Sequence, residues 1–276
     1  MPDFTAEGFD KEKLKDYKSF GINRISIGLQ AWQNHHLKKL GRIHTVEEFL
    51  HSYTMARKAG FDNINVDLMF DLPDQTFEEW KESLENVCAL EPQHISAYSL
   101  IIEEGTPFYD MDLNLPNEIQ DREMYHFAQD FLKEKGFHQY EISNFAKEEK
   151  ESVHNNVYWI RGDYKGFGLG ASSLVNNHRL KNTENMNNYI AGTYVVEDEE
   201  LSKEDIYSEF MFLGLRRNEG INVKSFKKLY GDDIYDIYGE AINTHISDGL
   251  LEKCGDNIRL TRKGLDLANT VFVDFV

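Results

Sequence analysis

One helix–glycine–strand unit between residues 45 and 69 predicts the fold of the first part of the chain. Thr45-Val-Glu-Glu48 fits a capping box, in which a hydroxyl and a carboxylate satisfy the first free amides of a helix. Gly60 is a stop signal for that helix, and Asn63-Ile-Asn-Val-Asp-Leu-Met69 follows it as a strand. A helix followed closely by a strand is the repeating part of an α/β fold.

The same unit recurs on both sides of this stretch. Residues 11–20 and 22–29 predict a helix and a strand, and a second capping box at Thr76 opens a helix that leads to a strand over residues 94–102. With a short strand near residues 3–7 these make four parallel strands, whereas a closed βα barrel needs about eight. The pattern therefore predicts an α/β fold, either an open, partial βα barrel or a doubly wound sheet.

The rest of the chain has a different rhythm. A long helix is predicted over residues 117–135, and strands over residues 139–145, 157–159 and 167–175. After residue 202 three helices precede a hairpin, an order typical of a small winged-helix-like domain. The acidic run Glu197-Asp-Glu-Glu200 predicts the boundary, which gives a first domain over residues 1–196 and a second over residues 197–276.

The composition excludes several classes of protein. The 276 residues carry 30 basic and 48 acidic side chains, and this net charge of −18 opposes binding to nucleic acid or anionic membranes. Two cysteines, Cys88 and Cys254, cannot form a disulfide framework or hold an iron–sulfur cluster alone. No apolar run approaches the roughly 20 residues of a membrane span, so we expect a cytoplasmic protein.

Polar residues at the carboxyl ends of predicted parallel strands are candidates for a ligand site. Glu7, Gln30, Asp67 and the segment 98–102 occupy such positions. Asp67 stands out because it interrupts the apolar run from Ile64 to Met69, and a buried carboxylate is costly unless it is paired. Its alternative role is purely structural, as an acid satisfied by a backbone amide or an arginine.

The histidines and glycines give weaker signals. None of the ten histidines has the spacing of a helical zinc motif, and His35, His36 and His51 are predicted on solvated helix faces. His154 precedes Tyr158 and Trp159, and it is either a structural histidine beside a strand or a haem ligand. The stretch 166–170 lacks the order of a phosphate-binding loop, which favours a strand that something approaches closely.

Several motifs in collinear order resemble one family. It is the radical S-adenosylmethionine family of oxygen-independent coproporphyrinogen III oxidases, and the string from His154 to Trp159 favours its haem-chaperone branch, HemW. The likeness runs from about Phe4 to the end of the chain. Its motifs are residues 23–30, 40–44, 65–73, 94–100, 139–144, 154–159 and 162–171.

The resemblance implies a partial βα barrel of the radical-SAM type with S-adenosylmethionine across its strand ends. Carried over by motif, the contacts of that cofactor are Glu7, Gln30, Arg42 and Asp67, with weaker support for Ile101 and Leu174. His154 is the candidate haem ligand of the chaperone branch. Haem or a porphyrin and haem-acceptor proteins are the implied partners, and a [4Fe-4S] cluster is the implied second cofactor.

The departures from the family pattern are equally informative. The family's Cys-x3-Cys-x2-Cys loop and Gly-Gly-Thr-Pro motif do not occur, Glu7-Gly8-Phe9-Asp10 replaces Glu-Ala-Asn-Pro, and Asp71 replaces a glycine. We therefore expect an N-terminally truncated chain with no catalytic residue and no metal ligand of its own. Such a chain would bind haem or nucleoside ligands without radical chemistry.

Three other functions stay open at this point. The missing segment, supplied elsewhere, would restore oxidative decarboxylation of coproporphyrinogen III. The chain could instead be a non-enzymatic haem-binding or protein-interaction module, or a transcription factor, which the net charge of −18 opposes. An exposed sheet edge near residues 3–7 or at Asn23 predicts self-association.

Overall fold

The computed structural model describes the backbone of residues 3–5 and all of residues 11–276. The chain divides into two compact units, Met1–Glu151 and Ser152–Val276. The predicted domain boundary at residues 196/197 falls within a strand of the second unit, and that boundary stays a prediction. No helix in the described part of the chain has the length and apolar character needed to cross a membrane.

A six-stranded sheet forms the first unit, in the order β1-β2-β3-β4-β6-β5. The first four strands are parallel, and the last two form an antiparallel hairpin whose β6 pairs with β4. The strands are β1 (Asp3–Thr5), β2 (Arg24–Gln30), β3 (Asn63–Phe70), β4 (His94–Ser99), β5 (His138–Glu141) and β6 (Asn144–Ala146). The prediction of an open α/β sheet with four parallel strands is confirmed, and self-association through edge strand β1 stays a prediction.

The described residues of this unit also form five helices: α1 (Lys11–Ser19), α2 (Asn34–Lys39), α3 (Val46–Lys58), α4 (Phe77–Ala89) and α5 (Glu118–Glu134). The capping boxes predicted at Thr45 and Thr76 both form, and Asn117 builds a third one. Helix α4 packs its apolar face inwards, where Trp80 is fully buried and stacks near Phe70 of β3. Each capping box satisfies amides that helix formation leaves unpaired, which fixes where these helices begin.

The second unit begins with a helix and a small antiparallel sheet. Its elements are α6 (Val153–Trp159), β7 (Ser172–Val175), β8 (His178–Asn182), α7 (Met186–Ile190) and β9 (Val195–Glu200). The strand predicted over residues 157–159 is wrong, because Ser152 caps a helix there with its hydroxyl 3.3 Å from the amide of Asn155. The acidic run is also not a linker, since it forms the edge strand β9.

The last part of the chain folds as predicted, with helices before a hairpin. It consists of α8 (Lys203–Leu215), β10 (Ile221–Asn222), α9 (Val223–Tyr230), α10 (Ile234–Ser247), β11 (Leu251–Cys254), β12 (Asn257–Leu260), α11 (Arg262–Asp266) and α12 (Ala268–Val273). The three short strands form one antiparallel sheet, β10-β12-β11. Aromatic side chains of α8 and α9 pack together here, with the rings of Tyr207 and Phe226 4.9 Å apart.

The predicted strand over residues 167–175 is reduced to β7. Its glycine-rich beginning is not a strand, but the close approach predicted for it is confirmed at Gly166. A Cβ atom at this position would lie 2.2 Å from the carbonyl oxygen of Ser172, a distance that no side chain tolerates. The amide of Gly166 also donates to the hydroxyl of Ser173. Residue 166 must therefore be glycine for packing and not for phosphate binding.

Candidate functional site

One face of the parallel sheet is polar across its three central strands. In register, Ser26 of β2 lies beside Asn65 of β3, which lies beside His94 of β4. The next row on the same face contains Gly28, Asp67 and Ser96. We call these rows the polar face of the sheet. Neighbouring parallel strands bring such residues within reach of one another, so side chains far apart in sequence form one surface.

Strand β3 alternates between this polar face and the core. Ile64, Val66 and Leu68 are fully buried, while the positions between them carry Asn65 and Asp67. The interpretation of Asp67 as an interruption of an apolar run is therefore wrong, since the side chains of a strand point alternately to its two faces. Asp67 is also not at the carboxyl end, because β3 continues to Phe70.

The carboxylate of Asp67 is held by two neighbours on the polar face. The Ser26 hydroxyl donates to Asp67 Oδ2 over 3.0 Å, and Asn65 Nδ2 donates to Asp67 Oδ1 over 2.7 Å. Asn65 Nδ2 also donates to the Ser26 hydroxyl oxygen over 2.6 Å. Both oxygens of the carboxylate thus accept hydrogen bonds from side chains of the same sheet face.

A buried histidine extends this network away from Asp67. His94 Nδ1 lies 2.6 Å from Asn65 Oδ1, and His94 Nε2 lies 2.8 Å from the hydroxyl of Tyr140. Because Asn65 Oδ1 can only accept, Nδ1 carries the proton and Nε2 accepts from Tyr140. Burial lowers the pKa of His94 well below its usual value, which keeps the ring neutral. Hydrogen bonds therefore point from Tyr140 through His94 and Asn65 towards Asp67.

Gln30 ends β2 at the edge where the sequence places a ligand. Its side chain is buried, with 4% exposed, and its Oε1 accepts a hydrogen bond of 2.9 Å from the Tyr98 hydroxyl. The backbone of Gln30 has a φ of +77°, and the strand pairing shifts register between Gly28 and Gln30. A Cβ atom on Gly28 would lie 2.8 Å from Gln30 Nε2, so the glycine makes room for this side chain.

The other predicted cofactor contacts fall in different places. Arg42 is half-buried after the turn at Gly41, and no described carboxylate lies within ion-pair distance of its guanidinium. Ile101 is 76% exposed, because β4 ends at Ser99 and leaves Ile101 in the following loop. Leu174 is buried in β7 of the second unit. Glu7 lies outside the described residues. The structure thus brings Gln30 and Asp67 onto neighbouring strands of one sheet.

A second carboxylate lies just beyond β3. Asp71 has a φ of +61°, which explains why a glycine suits this position in the family pattern. The Ser99 hydroxyl lies 3.5 Å from Asp71 Oδ2 and 3.3 Å from Asp121 Oδ1, so one hydroxyl lies between two carboxylates. Burial, with the nearby charge of Asp121, raises the pKa of Asp71 to about 6.

We expect Asp71→Asn to stabilise the fold in a pH-dependent way. Because the pKa of Asp71 rises from 3.8 to about 6 on folding, the folded state binds a proton more tightly, and wild-type stability falls as the pH rises through this range. Asparagine removes the charge and tolerates a positive φ. Urea denaturation should show a gain of about 1 kcal/mol at pH 7.5 and almost none at pH 4. An equal gain at both pH values would contradict this origin.

His154 lies near the start of α6 with its side chain exposed. It lies on a helix and not beside a strand, as the structural alternative assumed. The Tyr158 hydroxyl, one turn later, hydrogen-bonds to His154 Nε2 over 2.9 Å, and the two rings meet edge to face 5.0 Å apart. The ring of Tyr164 packs edge to face against that of Tyr158, with the ring centres 4.6 Å apart. The imidazole is therefore oriented by a tyrosine and open to an incoming ligand.

Two contacts hold α6 against α8 within the second unit. The guanidinium of Arg216 lies 4.6 Å from the ring centre of Trp159, at the end of α6. Arg161 follows α6 and donates from Nε to Glu209 Oε2 over 2.8 Å, and both of these side chains are more than nine-tenths buried. Arg179 of β8 also pairs with Glu209. These contacts fix the helix that presents His154.

The cysteines do not fit a three-thiolate cluster. Cys88 belongs to α4 in the first unit, and Cys254 is exposed in β11 of the second unit. Burial raises the pKa of the Cys88 thiol to about 11, so it stays protonated, whereas cluster ligands are thiolates. We therefore derive no chemistry through an iron–sulfur cluster for these residues.

Comparisons with known proteins show the family to which the chain belongs. The radical SAM superfamily matches residues 3–87, and the HemN C-terminal domain matches residues 201–267. The haem chaperone HemW of Bacillus subtilis is 37% identical over 99% of this chain and 74% of its own length, and HemW of Lactococcus lactis is 36% identical over 100% and 76%. HemW of Escherichia coli is 31% identical over 97% of this chain and 72% of its own length.

The fold also matches a solved structure. The coproporphyrinogen III oxidase HemN from Escherichia coli, a radical SAM enzyme, superposes with a TM-score of 0.82 over 99% of this chain and 68% of its own. Its sequence identity is 20%, so this likeness concerns the fold alone.

Proposed function

Because this chain belongs to the HemW family of radical S-adenosylmethionine proteins, we propose that it binds haem and passes it to acceptor proteins. The relatives that support this proposal are haem chaperones, and their sequences align with nearly the whole of this chain. The proposed place of action is the cytoplasm, and the partners are haem or a related porphyrin and a haem-accepting protein.

The observation that supports this proposal most directly is the exposed, oriented imidazole of His154. Imidazole is a common axial ligand of haem iron, and a surface position suits a chaperone because haem must also leave. Burial raises the pKa of the Tyr158 hydroxyl that bonds to His154, so this hydroxyl stays protonated and holds the ring in one orientation. Haem binding would replace that hydrogen bond with a bond between nitrogen and iron.

We also propose a site for S-adenosylmethionine at the polar face of the sheet. Asp67 would accept hydrogen bonds from the ribose hydroxyls, and the guanidinium of Arg42 suits the carboxylate of the methionine part. Gln30 supplies a buried amide at the strand end. Glu7, Ile101 and Leu174 belong to the same proposal by family position alone. When bound, this cofactor supplies a sulfonium centre, and the residues named here would bind and orient it.

A haem titration tests the chaperone proposal. We expect untagged wild-type chain to shift the Soret band of added haem at one equivalent. His154→Ala should weaken this binding by tenfold or more, because it removes the proposed axial ligand. His51→Ala is the matched control, since His51 is an exposed helical histidine in the first unit. Equal Soret titrations for wild type and His154→Ala would overturn the assignment of His154.

A second variant separates a ligand role from a packing role. Tyr158→Phe keeps the ring that packs on His154 but removes the hydroxyl that competes for Nε2. We expect the Soret shift to persist in this variant, with affinity within a few fold of wild type. Circular dichroism spectra of the three variants should match that of wild type, because both substituted histidines are exposed.

A further inference from the structure

Two adjacent histidines and a glutamate converge at one point of the first unit. His35 Nε2 lies 3.2 Å from Glu79 Oε1, and His36 Nε2 lies 3.3 Å from Glu79 Oε2. The possible ligand atoms of the three side chains all lie within 4.8 Å of one another. The two imidazole rings are 4.1 Å apart. We call these three residues the His-His-Glu cluster.

The position of His36 differs from the one predicted from the sequence. Both histidines were expected on a solvated face of a helix, but the side chain of His36 is fully buried while that of His35 is 56% exposed. The short helix α2 packs against the start of α4, which covers His36 and leaves His35 at the surface. The cluster is therefore anchored on one side and open on the other.

Glu79 is held in place before any ligand arrives. It is the third residue of α4, and its Oε2 accepts hydrogen bonds from the Thr76 amide and hydroxyl over 2.9 Å and 3.0 Å. Gln33, just before α2, donates from Nε2 to the Glu79 carbonyl over 3.0 Å. Glu79 Oε1 faces His35, while Oε2 serves the capping box and also lies beside His36 Nε2. Such outer hydrogen bonds are what orient carboxylate ligands in metal sites.

We propose that His35, His36 and Glu79 bind a divalent transition-metal ion of the Zn²⁺ type, with a fourth position open to water. Two imidazoles and one carboxylate are an established ligand set for such ions. With metal–ligand bonds of about 2.0–2.1 Å, neighbouring ligands of a tetrahedral ion lie about 3.3 Å apart. His35 Nε2 and His36 Nε2 approach the two oxygens of Glu79 to 3.2 Å and 3.3 Å respectively, so both nitrogens lie close to one carboxylate at about that spacing.

The chemistry of the cluster selects against other cations. Magnesium and calcium prefer all-oxygen sites, whereas two of the three ligand atoms here are nitrogen. Lys39 is a positive charge on the same short helix, and its ion pair with Asp74 over 2.6 Å partly neutralises it.

The His-His-Glu cluster lies next to the proposed nucleoside site in the chain. Helix α2 lies between Gln30, which ends β2, and Arg42, which follows the turn at Gly41. A metal ion on the His-His-Glu cluster would therefore tie the segment between these two residues to the start of α4. This connection stabilises the folded state by mass action, because the unfolded chain does not hold the three ligands together.

A competition titration against a chromophoric zinc chelator tests the proposal on untagged protein. We expect wild type to bind one equivalent of Zn²⁺ and His35→Gln to lose tenfold or more in affinity. Glu79→Gln should lose a similar amount, while glutamine keeps the capping box. Magnesium at millimolar concentration should not compete. The matched control is His51→Gln, which removes an exposed histidine outside the cluster and should bind as wild type does.

A thermal melt gives an independent readout. Added Zn²⁺ should raise the melting temperature of wild type and of His51→Gln, but not that of His35→Gln. His35 is exposed, so its replacement leaves the core intact. Unchanged Zn²⁺ affinity in His35→Gln, or an equal loss in His51→Gln, would overturn the assignment of the cluster. The haem and nucleoside proposals do not depend on this result.

Discussion

Glu209→Gln should be the most destabilising change considered for the second unit, lowering the free energy of unfolding by about 3 kcal/mol. Glu209 is 9% exposed and accepts from Arg161, whose side chain is 7% exposed, and from the half-exposed Arg179. Glutamine has the same shape but no charge. The substitution leaves a buried guanidinium without its counter-ion, which costs more than the lost attraction alone.

Urea denaturation followed by circular dichroism and by tryptophan fluorescence measures this change. Trp159 packs against the guanidinium of Arg216 and lies two residues before Arg161, so its fluorescence should report loss of the ion pairs of Glu209. Glu184→Gln is the control, because Glu184 pairs with Lys181 on the surface and is 74% exposed. We expect the control to change stability by less than about 0.5 kcal/mol. An equally small effect of Glu209→Gln would mean that the two arginines are adequately solvated without it.

Comparison of Glu209→Gln with His154→Ala distinguishes a loss of folding stability from the loss of a haem ligand. Arg161 follows α6 directly, so loss of the ion cluster should loosen the helix that presents His154. We expect Glu209→Gln to weaken haem binding together with stability. His154→Ala should weaken haem binding alone, since that side chain is exposed. Replacing Arg161 and Glu209 together by methionine and leucine should recover much of the stability, because buried pairs are often matched by apolar packing.

Local signals in the sequence predicted the helices of the first unit well. The capping boxes at Thr45 and Thr76 involve residues three positions apart, and they form as expected. The signal at the start of α6 has the same local character, with Ser152 as its cap, but the aromatic residues Tyr158 and Trp159 favoured a strand instead. Aromatic residues are common in strands because they pack well there, which is a weak preference that a cap can override.

The sequence contains a signal for more residues of the polar face than Asp67 alone. Residues 24–30, 63–68 and 94–97 each alternate between polar and apolar side chains, a period of two that marks one polar and one apolar face. That signal identifies Ser26, Asn65 and His94 as companions of Asp67. Their hydrogen-bond partners depend on strand register, however, and the antiparallel addition of β6 beside β4 depends on contacts between distant residues.

The burial of His36 could not be read from its neighbours. Nothing in the sequence of α2 distinguishes it from the adjacent His35, and both follow the polar residues Gln33 and Asn34. The difference arises because α2 packs on the start of α4, where Glu79 and Gln33 meet. Such a contact joins segments more than 40 residues apart, so only the folded chain places two imidazoles on one carboxylate.

Asp67→Asn should have the largest effect on nucleoside binding, with a loss of tenfold or more in affinity for S-adenosylmethionine. Ser26 and Asn65 already donate to both oxygens of Asp67, and a carboxylate has enough lone pairs to accept from ribose hydroxyls as well. The substitution removes the negative charge and replaces one accepting oxygen with an NH₂ group. That NH₂ group would face a hydrogen-bond donor, either of the protein or of the ribose.

Analogues of the cofactor give this prediction a readout that unfolding cannot imitate. Adenosine should compete with labelled S-adenosylmethionine on wild type better than 2′,3′-dideoxyadenosine does, because only adenosine has the ribose hydroxyls that would donate to Asp67. The Asp67→Asn variant should bind both analogues weakly and discriminate little between them. Asp62→Asn, an exposed residue just before β3, should keep the wild-type preference. Discrimination that persists in Asp67→Asn would remove Asp67 from the ribose site, and it would shift the proposed contact to Gln30 at the end of β2.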